Sequence, residues 1–182
     1  WAAMALFFRP IGDYGVETDF YGDFYPYAMR WMHGEATVMN GFRGPFYYLV
    51  LGVVSTLLRN GFLAAKLISV LSAGATVLLA GRMFERLWGP KAGLLGALFV
   101  AGNATLVPLA FRAGTDALFL LLTVSALTLM VRGGEGRARE WVLAGAAGGA
   151  AYLTRYNGAA LLPVGLLVAI LTLRPWRRAA RA

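Results

Sequence analysis

The sequence predicts an all-α, polytopic membrane protein. Of its 182 residues, 59% are hydrophobic and 14% are charged, and the mean hydropathy is +0.62. Soluble domains contain about 25% charged residues, and they have no core large enough to bury so many apolar side chains. Long apolar stretches also follow one another from residue 46 onward, separated by short charged segments. The chain contains no cysteine, so disulfides and cysteine-based metal sites are excluded.

The N-terminal segment divides into a short apolar part and a long polar part. Residues 1–8 form an apolar octet, whereas a helix needs about 20 residues to cross a bilayer. We therefore expect this octet to be the end of a first helix, and the chain to be the N-terminal part of a larger membrane module. Residues 9–45 hold the only histidine and five of the nine carboxylates, and we expect them to form a loop outside the membrane.

The first apolar stretch after this loop, residues 46–58, is too short to span a membrane. It is 13 residues long, follows Gly44-Pro45 and ends at Arg59-Asn60-Gly61. An apolar segment of this length fits a helix that lies along the membrane surface. We therefore predict an outer juxtamembrane helix here.

Five transmembrane helices are predicted in the remainder of the chain. The last two come from one apolar stretch of 33 residues, which as a single helix would be about 50 Å long, against a hydrocarbon core of about 30 Å. A charge, an Asn and a Gly coincide at Arg155-Tyr156-Asn157-Gly158, which favours a turn there. The predicted helices are 62–84, 92–111, 115–131, 141–154 and 156–173.

The charge distribution predicts an orientation. With residues 46–58 kept out of the membrane, segments 82–91, 132–140 and 174–182 share one side, with ten Lys/Arg against three Glu. The positive-inside rule makes this side cytoplasmic. The opposite side then carries six of the nine acids. Since the basic residues are spread between apolar runs and not gathered in an exposed patch, we do not expect nucleic-acid binding.

Four basic residues on the outer side are candidates for binding a phosphate group. A cation near membrane depth on this side runs against the topological preference and costs a few kcal/mol if it has no partner. Arg offers a bidentate fork to phosphate oxygens and Lys a point charge. The alternative is that these residues snorkel to ordinary lipid headgroups or pair with nearby acids. The candidates are Arg59, Lys66, Arg112 and Arg155.

Three outer carboxylates are candidates for chemistry. Asp19 and Asp23 are four residues apart and would share a face of a helix, among aromatic residues such as Tyr27 that are suited to stacking on a sugar. One carboxylate can take the proton of an acceptor hydroxyl, and two can share a divalent cation, although no metal motif is present. The alternative is a solvated acidic loop. Asp116 begins a predicted helix and is alternatively an N-cap with Thr115.

The order of these parts resembles the membrane module of the GT-C glycosyltransferases, most closely the protein mannosyltransferase and aminoarabinose transferase-like group. The resemblance covers nearly the whole chain. In chain order, the similar pieces are Asp19-Phe20, Tyr27-Ala28 with Arg30 and Gly34, Gly44-Pro45-Phe46-Tyr47-Tyr48, Ala64-Ala65-Lys66-Leu67, Gly81-Arg82-Met83-Phe84, Leu87-Trp88-Gly89, Pro108 with Arg112, Thr115-Asp116-Ala117-Leu118, and Tyr152-Leu153-Thr154-Arg155-Tyr156-Asn157-Gly158.

This resemblance implies a function and a set of roles. It implies inverting transfer of a sugar from a polyprenyl-phosphate donor to an acceptor on the extracytoplasmic face, without an organic cofactor. The family's catalytic Asp falls on Asp19, with Asp23 as a near alternative, and its second outer acid falls on Asp116. The basic residue associated with the donor phosphate falls on Arg155. A composition rich in Ala, Gly and Arg favours a bacterial inner-membrane protein. The competing hypotheses are a non-enzymatic lipid or polysaccharide transporter and an assembly subunit without a substrate.

Overall fold

The computed structural model describes residues 19–35 and 44–173, and within these ranges the protein is all-helical, as predicted. A π-helical turn, Phe20–Phe24, leads directly into α1 (Tyr25–Met32). The later elements are α2 (Phe46–Leu58), α3 (Gly61–Trp88), α4 (Pro90–Ala101), α5 (Leu106–Phe111), α6 (Asp116–Gly133), α7 (Ala138–Thr154), a 3-10 helix (Tyr156–Ala160) and α8 (Leu161–Leu173). The predicted end of a first helix at residues 1–8 lies outside the described residues, as do 9–18, 36–43 and 174–182.

Two of the described helices, α3 and α6, are long and apolar enough to cross a membrane. Their C-terminal ends meet, because Arg86 near the end of α3 forms an ion pair with Glu135, just beyond the end of α6. Helix α7 then runs back along α6, with Arg132 and Glu140 2.9 Å apart where the two helices join. Helices α3 and α6 are therefore parallel, and segments 82–91 and 132–140 lie at the same end of the bundle.

The predicted helix 92–111 is divided in the structure. Helix α4 ends at Ala101, and α5 begins at Leu106. Asn103 lies in the break, and its Oδ1 accepts hydrogen bonds from the backbone N–H groups of Thr105 at 2.9 Å and Leu106 at 3.1 Å. A side chain that satisfies the free amides of a new helix in this way ends the previous one. The prediction of one continuous helix is therefore corrected to two.

Helix α2 has both of its ends at the end of the bundle where α3 and α6 begin. At its N-terminal side, Gly44 lies so close to the backbone of Leu153, near the end of α7, that an added Cβ would be 2.0 Å from the Leu153 carbonyl oxygen. At its C-terminal side, Arg59 adopts a left-handed conformation with φ 53°, and Asn60 caps α3 by accepting from the Leu63 N–H. Helix α2 therefore lies along this end of the bundle, where the sequence predicts a juxtamembrane helix.

An aromatic core joins the first segment to the bundle. Its buried members come from the π-helical turn, α1, α2, the start of α3 and the region around the start of α6. They are Phe20, Phe24, Ala28, Tyr47, Tyr48, Leu51, Ala64, Ala65, Ile68, Ala113 and Leu118. We call this set the aromatic core. The aromatic core includes Phe20 from the π-helical turn and Leu118 from the first turn of α6. The acidic turn and the start of α6 therefore pack against a common surface.

Candidate active site

Asp23 lies in the π-helical turn, with its carboxylate held by a tyrosine from α2. The Tyr48 hydroxyl donates a hydrogen bond to this carboxylate and lies 3.1 Å from each of its oxygens. Asp23 is half-buried, whereas Tyr48 is only 1% exposed. The buried hydroxyl therefore restrains the orientation of the Asp23 carboxylate.

Asp19 begins the same turn. Its backbone carbonyl accepts hydrogen bonds from the amides of Asp23 at 2.8 Å and Phe24 at 3.1 Å, and the second of these produces the π-helical geometry. Its side chain is half-buried, like that of Asp23. Within the described residues, no group of three His, Cys, Asp or Glu side chains is placed to hold a metal ion. Binding of a cation by the two carboxylates stays a prediction.

Asp116 and Arg155 form an ion pair that closes the same end of the bundle. Asp116 is the first residue of α6, and Arg155 follows the last residue of α7. The Arg155 Nη1 atom donates to Asp116 Oδ1 and also lies 3.3 Å from the Thr115 hydroxyl. The side chains of Arg155 and Asp116 are 35% and 38% exposed. Thr115 makes no side-chain cap hydrogen bond, so Asp116 serves the ion pair more than the cap that the sequence suggests as its alternative role.

The other candidate residues occupy different environments. Lys66 is only 2% exposed, with its Nζ 5.2 Å from the centre of the Phe62 ring, which does not fit the alternative that it snorkels to lipid headgroups. Arg59 and Arg112 are exposed, and each lies next in sequence to an element of this end of the bundle. Tyr27 is half-buried, with its ring centre 6.2 Å from that of Tyr48. The structure therefore separates one buried cation from two exposed ones.

An apolar cavity that sequence reasoning missed begins at Asp116. Its volume is about 480 Å³, and it lies between α3, α4, α5 and α6. Asp116 is the only charged residue among those that line it. The remaining lining residues are Thr76, Ala80, Phe99, Val100, Asn103, Thr105, Leu106, Leu109, Phe119, Leu120 and Val124. The cavity depends on the break between α4 and α5, for which the uncharged run 92–111 carries no clear signal.

The single histidine has a local role. His33 ends α1, and its Nδ1 lies 2.8 Å from the carbonyl oxygen of Met29, one turn earlier. The side chain is exposed and belongs to none of the contacts around Asp23. This contact gives His33 a structural role at the end of α1.

Comparison with known proteins identifies the family. Residues 43–181 match the family model described as dolichyl-phosphate-mannose-protein mannosyltransferase. The matched range includes Lys66, Arg112, Asp116 and Arg155, and it begins after Asp19 and Asp23. No curated protein and no solved structure matched the chain. Since the match covers most of the chain and the described fold is an all-helical bundle with two candidate spans, the chain belongs to the dolichyl-phosphate-mannose-protein mannosyltransferase family, which are membrane glycosyltransferases of the GT-C type.

Proposed function

We propose that this protein transfers a sugar from a polyprenyl-phosphate donor to an acceptor hydroxyl on the extracytoplasmic face of the membrane. Asp23 acts as the general base, with Asp19 as the alternative, and Arg155 binds the donor phosphate. The observation that carries the proposal is that the Asp23–Tyr48 contact and the Asp116–Arg155 pair pack against one aromatic core at one end of the bundle.

The proposed reaction needs a base at the acceptor hydroxyl and a cation at the donor phosphate. The Asp23 carboxylate removes the proton of the acceptor hydroxyl as its oxygen attacks the anomeric carbon of the donor sugar. The bond from that carbon to the phosphate oxygen breaks, and polyprenyl phosphate leaves with the bonding electron pair. Attack opposite the leaving group inverts the anomeric carbon. Arg155 stabilises the negative charge that grows on the leaving phosphate.

The preference for Asp23 over Asp19 is based on orientation. A general base is effective when its carboxylate is held in a fixed position within hydrogen-bond reach of the proton that it removes. The Tyr48 hydroxyl holds Asp23 in this way, and Tyr48 is itself buried. Asp19 begins the same turn through its backbone carbonyl and stays the alternative base.

The apolar cavity supports a lipid-linked donor. It adjoins the ion pair through Asp116, which is its only charged lining residue. A ligand with a charged head and a hydrocarbon tail matches this arrangement, because the head can reach Arg155 while the first isoprene units enter the cavity. A water-soluble nucleotide sugar would leave the cavity without a role.

The test is the release of polyprenyl phosphate by the full-length protein in liposomes supplied with polyprenyl-phosphate sugars and a mixture of lipid, glycan and peptide acceptors. The proposal predicts release that depends on both donor and acceptor. If the wild-type protein binds the donor lipid through Arg155 and moves it between leaflets, yet releases no polyprenyl phosphate, the protein is a lipid transporter and the proposal is wrong.

A further inference from the structure

We infer that Tyr48 is a positioning residue for the transfer reaction, which sets the place of the Asp23 carboxylate relative to Arg155. The inference rests on the proposed function. It assigns a role to a residue of α2 that reaches the substrate only through Asp23. It also explains why a short helix lies across the end of the bundle between the two halves of the site.

The Tyr48 hydroxyl holds the Asp23 carboxylate through a hydrogen bond. The hydroxyl is equidistant from both carboxylate oxygens, at 3.1 Å, so one donor restrains the rotation of the whole group. A hydrogen bond to a charged acceptor is roughly twice as strong as one between neutral groups. A restrained carboxylate keeps one orientation toward an acceptor hydroxyl, as proton removal requires.

The Tyr48 ring is itself held in place by the side chains packed around it. Its ring is 1% exposed and contacts three aromatic rings from the first segment, with centre-to-centre distances of 5.6 Å to Phe24, 6.2 Å to Tyr27 and 6.5 Å to Trp31. Close packing of this kind leaves one rotamer available. The hydroxyl position is therefore fixed by α2.

The chain just before α2 also contacts the part of the site that contains Arg155. Gly44, four residues before Tyr48, lies against the backbone of Leu153, which is two residues before Arg155. Only a glycine allows this approach, since a Cβ would be 2.0 Å from the Leu153 carbonyl oxygen. The α2 segment thus contacts the end of α7 through Gly44 and holds Asp23 through Tyr48. The distance between the Asp23 carboxylate and the Arg155 guanidinium therefore depends on the position of α2.

A purely structural role for Tyr48 predicts a different result from a positioning role. Loss of the hydroxyl in a structural role lowers stability and the amount of folded protein, but leaves the turnover of each folded molecule unchanged. Loss of a positioning contact lowers kcat while donor affinity stays the same. The two roles are separable because Tyr48→Phe removes only the oxygen and keeps the packed ring.

The experiment compares Tyr48→Phe with Tyr25→Phe in the full-length protein in liposomes. Tyr25→Phe removes the same oxygen from an aromatic ring of α1, which stacks on the Phe20 ring at a centre-to-centre distance of 6.0 Å. We expect kcat for polyprenyl phosphate release to fall about 10- to 100-fold in Tyr48→Phe, with donor KM and insertion unchanged. Tyr25→Phe should retain the wild-type kcat.

A second comparison shows whether Tyr48 acts through Asp23. Single-turnover release is measured for Asp23→Asn with and without Tyr48→Phe, and the second change should add no further loss. The inference would be overturned if Tyr48→Phe lowered release by the same factor in the Asp23→Asn background as in the wild type. Equal kcat values in Tyr48→Phe and Tyr25→Phe would also overturn it. Either result would leave the proposed function in place. Absence of release in the wild-type protein would instead overturn the proposed function, and the inference with it.

Discussion

Arg155 donates a hydrogen bond to Asp116 across 39 residues of sequence, and this pair ties the end of α7 to the start of α6. The same guanidinium lies 3.3 Å from the Thr115 hydroxyl. Two partners on one side leave the other N–H groups of the guanidinium for a further acceptor, since Arg carries five donors in a fixed fork. The pair thus both closes the bundle and orients Arg155 for an anionic ligand.

Two replacements of Arg155 distinguish the effect of its charge on phosphate binding from the effect of its planar guanidinium geometry. We expect Arg155→Ala to weaken binding of polyprenyl phosphate at least tenfold, because the main cation is lost and Asp116 is left without its partner. Arg155→Lys should restore only part of the affinity, because an ammonium group lacks the planar fork. Binding of the lipid phosphate to purified protein in nanodiscs measures both, with Arg139→Ala, at an exposed position at the opposite end of the bundle, as the control. Equal affinities in Arg155→Ala and wild type would contradict the assignment.

Filling the apolar cavity tests its proposed role in holding the lipid tail. Leu109 lines the cavity, and Leu109→Trp should raise the donor KM several-fold with little effect on kcat, because the added ring occupies the space of the tail. The matched control is Leu95→Trp, since Leu95 is exposed and does not line the cavity. Steady-state release assays provide both constants. An unchanged donor KM in Leu109→Trp would place the tail elsewhere.

The contact between Gly44 and Leu153 predicts a strong effect of one methyl group. Gly44→Ala should lower the free energy of unfolding by about 1–3 kcal/mol, because the backbone of Leu153 must move to admit the new Cβ. Gly74→Ala is the control. A Cβ at Gly74, inside α3, meets nothing within 4 Å, and Ala favours helix by about 1 kcal/mol over Gly. Thermal unfolding in detergent should therefore rank Gly44→Ala below wild type and Gly74→Ala at or above it.

The ion pair at the opposite end of the bundle gives a pH dependence. The hydrogen bond from Arg86 holds the pKa of the Glu135 carboxyl below its ordinary value. A carboxyl whose pKa is lowered on folding stabilises the protein above its unfolded pKa, about 4.3 for Glu, and this contribution is lost as the pH falls through the folded value. Glu135→Gln should therefore lower the melting temperature slightly at pH 7, and the difference from wild type should shrink as the pH is lowered below the ordinary pKa of Glu. A difference that grows as the pH falls would rule out the ion pair as its source.

The sequence predicts the fold class well because the signal is the length of uninterrupted apolar runs. The bounds of α2 and the turn after Thr154 follow from marked positions, namely a Gly-Pro pair, an Arg-Asn-Gly run and the charge at Arg155. The break at Asn103 is harder to predict, since it depends on a side chain reaching the free amides of Thr105 and Leu106. A run without charge gives no warning of such a cap.

The candidate site is only partly visible in the sequence. The charged residues stand out against an apolar background, and this is why Asp23, Asp116 and Arg155 are found. Tyr48 is one of many aromatic residues and carries no charge, so its hydroxyl contact emerges only from the packing of α2 on the π-helical turn. The burial of Lys66 likewise results from the packing of the folded core, and the neighbouring residues in the sequence do not indicate it.

The central claim is tested most directly by release of polyprenyl phosphate in single-turnover assays of wild type, Asp23→Asn and Asp19→Asn, each in liposomes with bound donor and added acceptor. We expect release to fall about 10²- to 10⁴-fold in Asp23→Asn, with donor binding intact, because general-base catalysis supplies a factor of this size. Asp19→Asn should retain most of the release. Full release by Asp23→Asn would contradict the account.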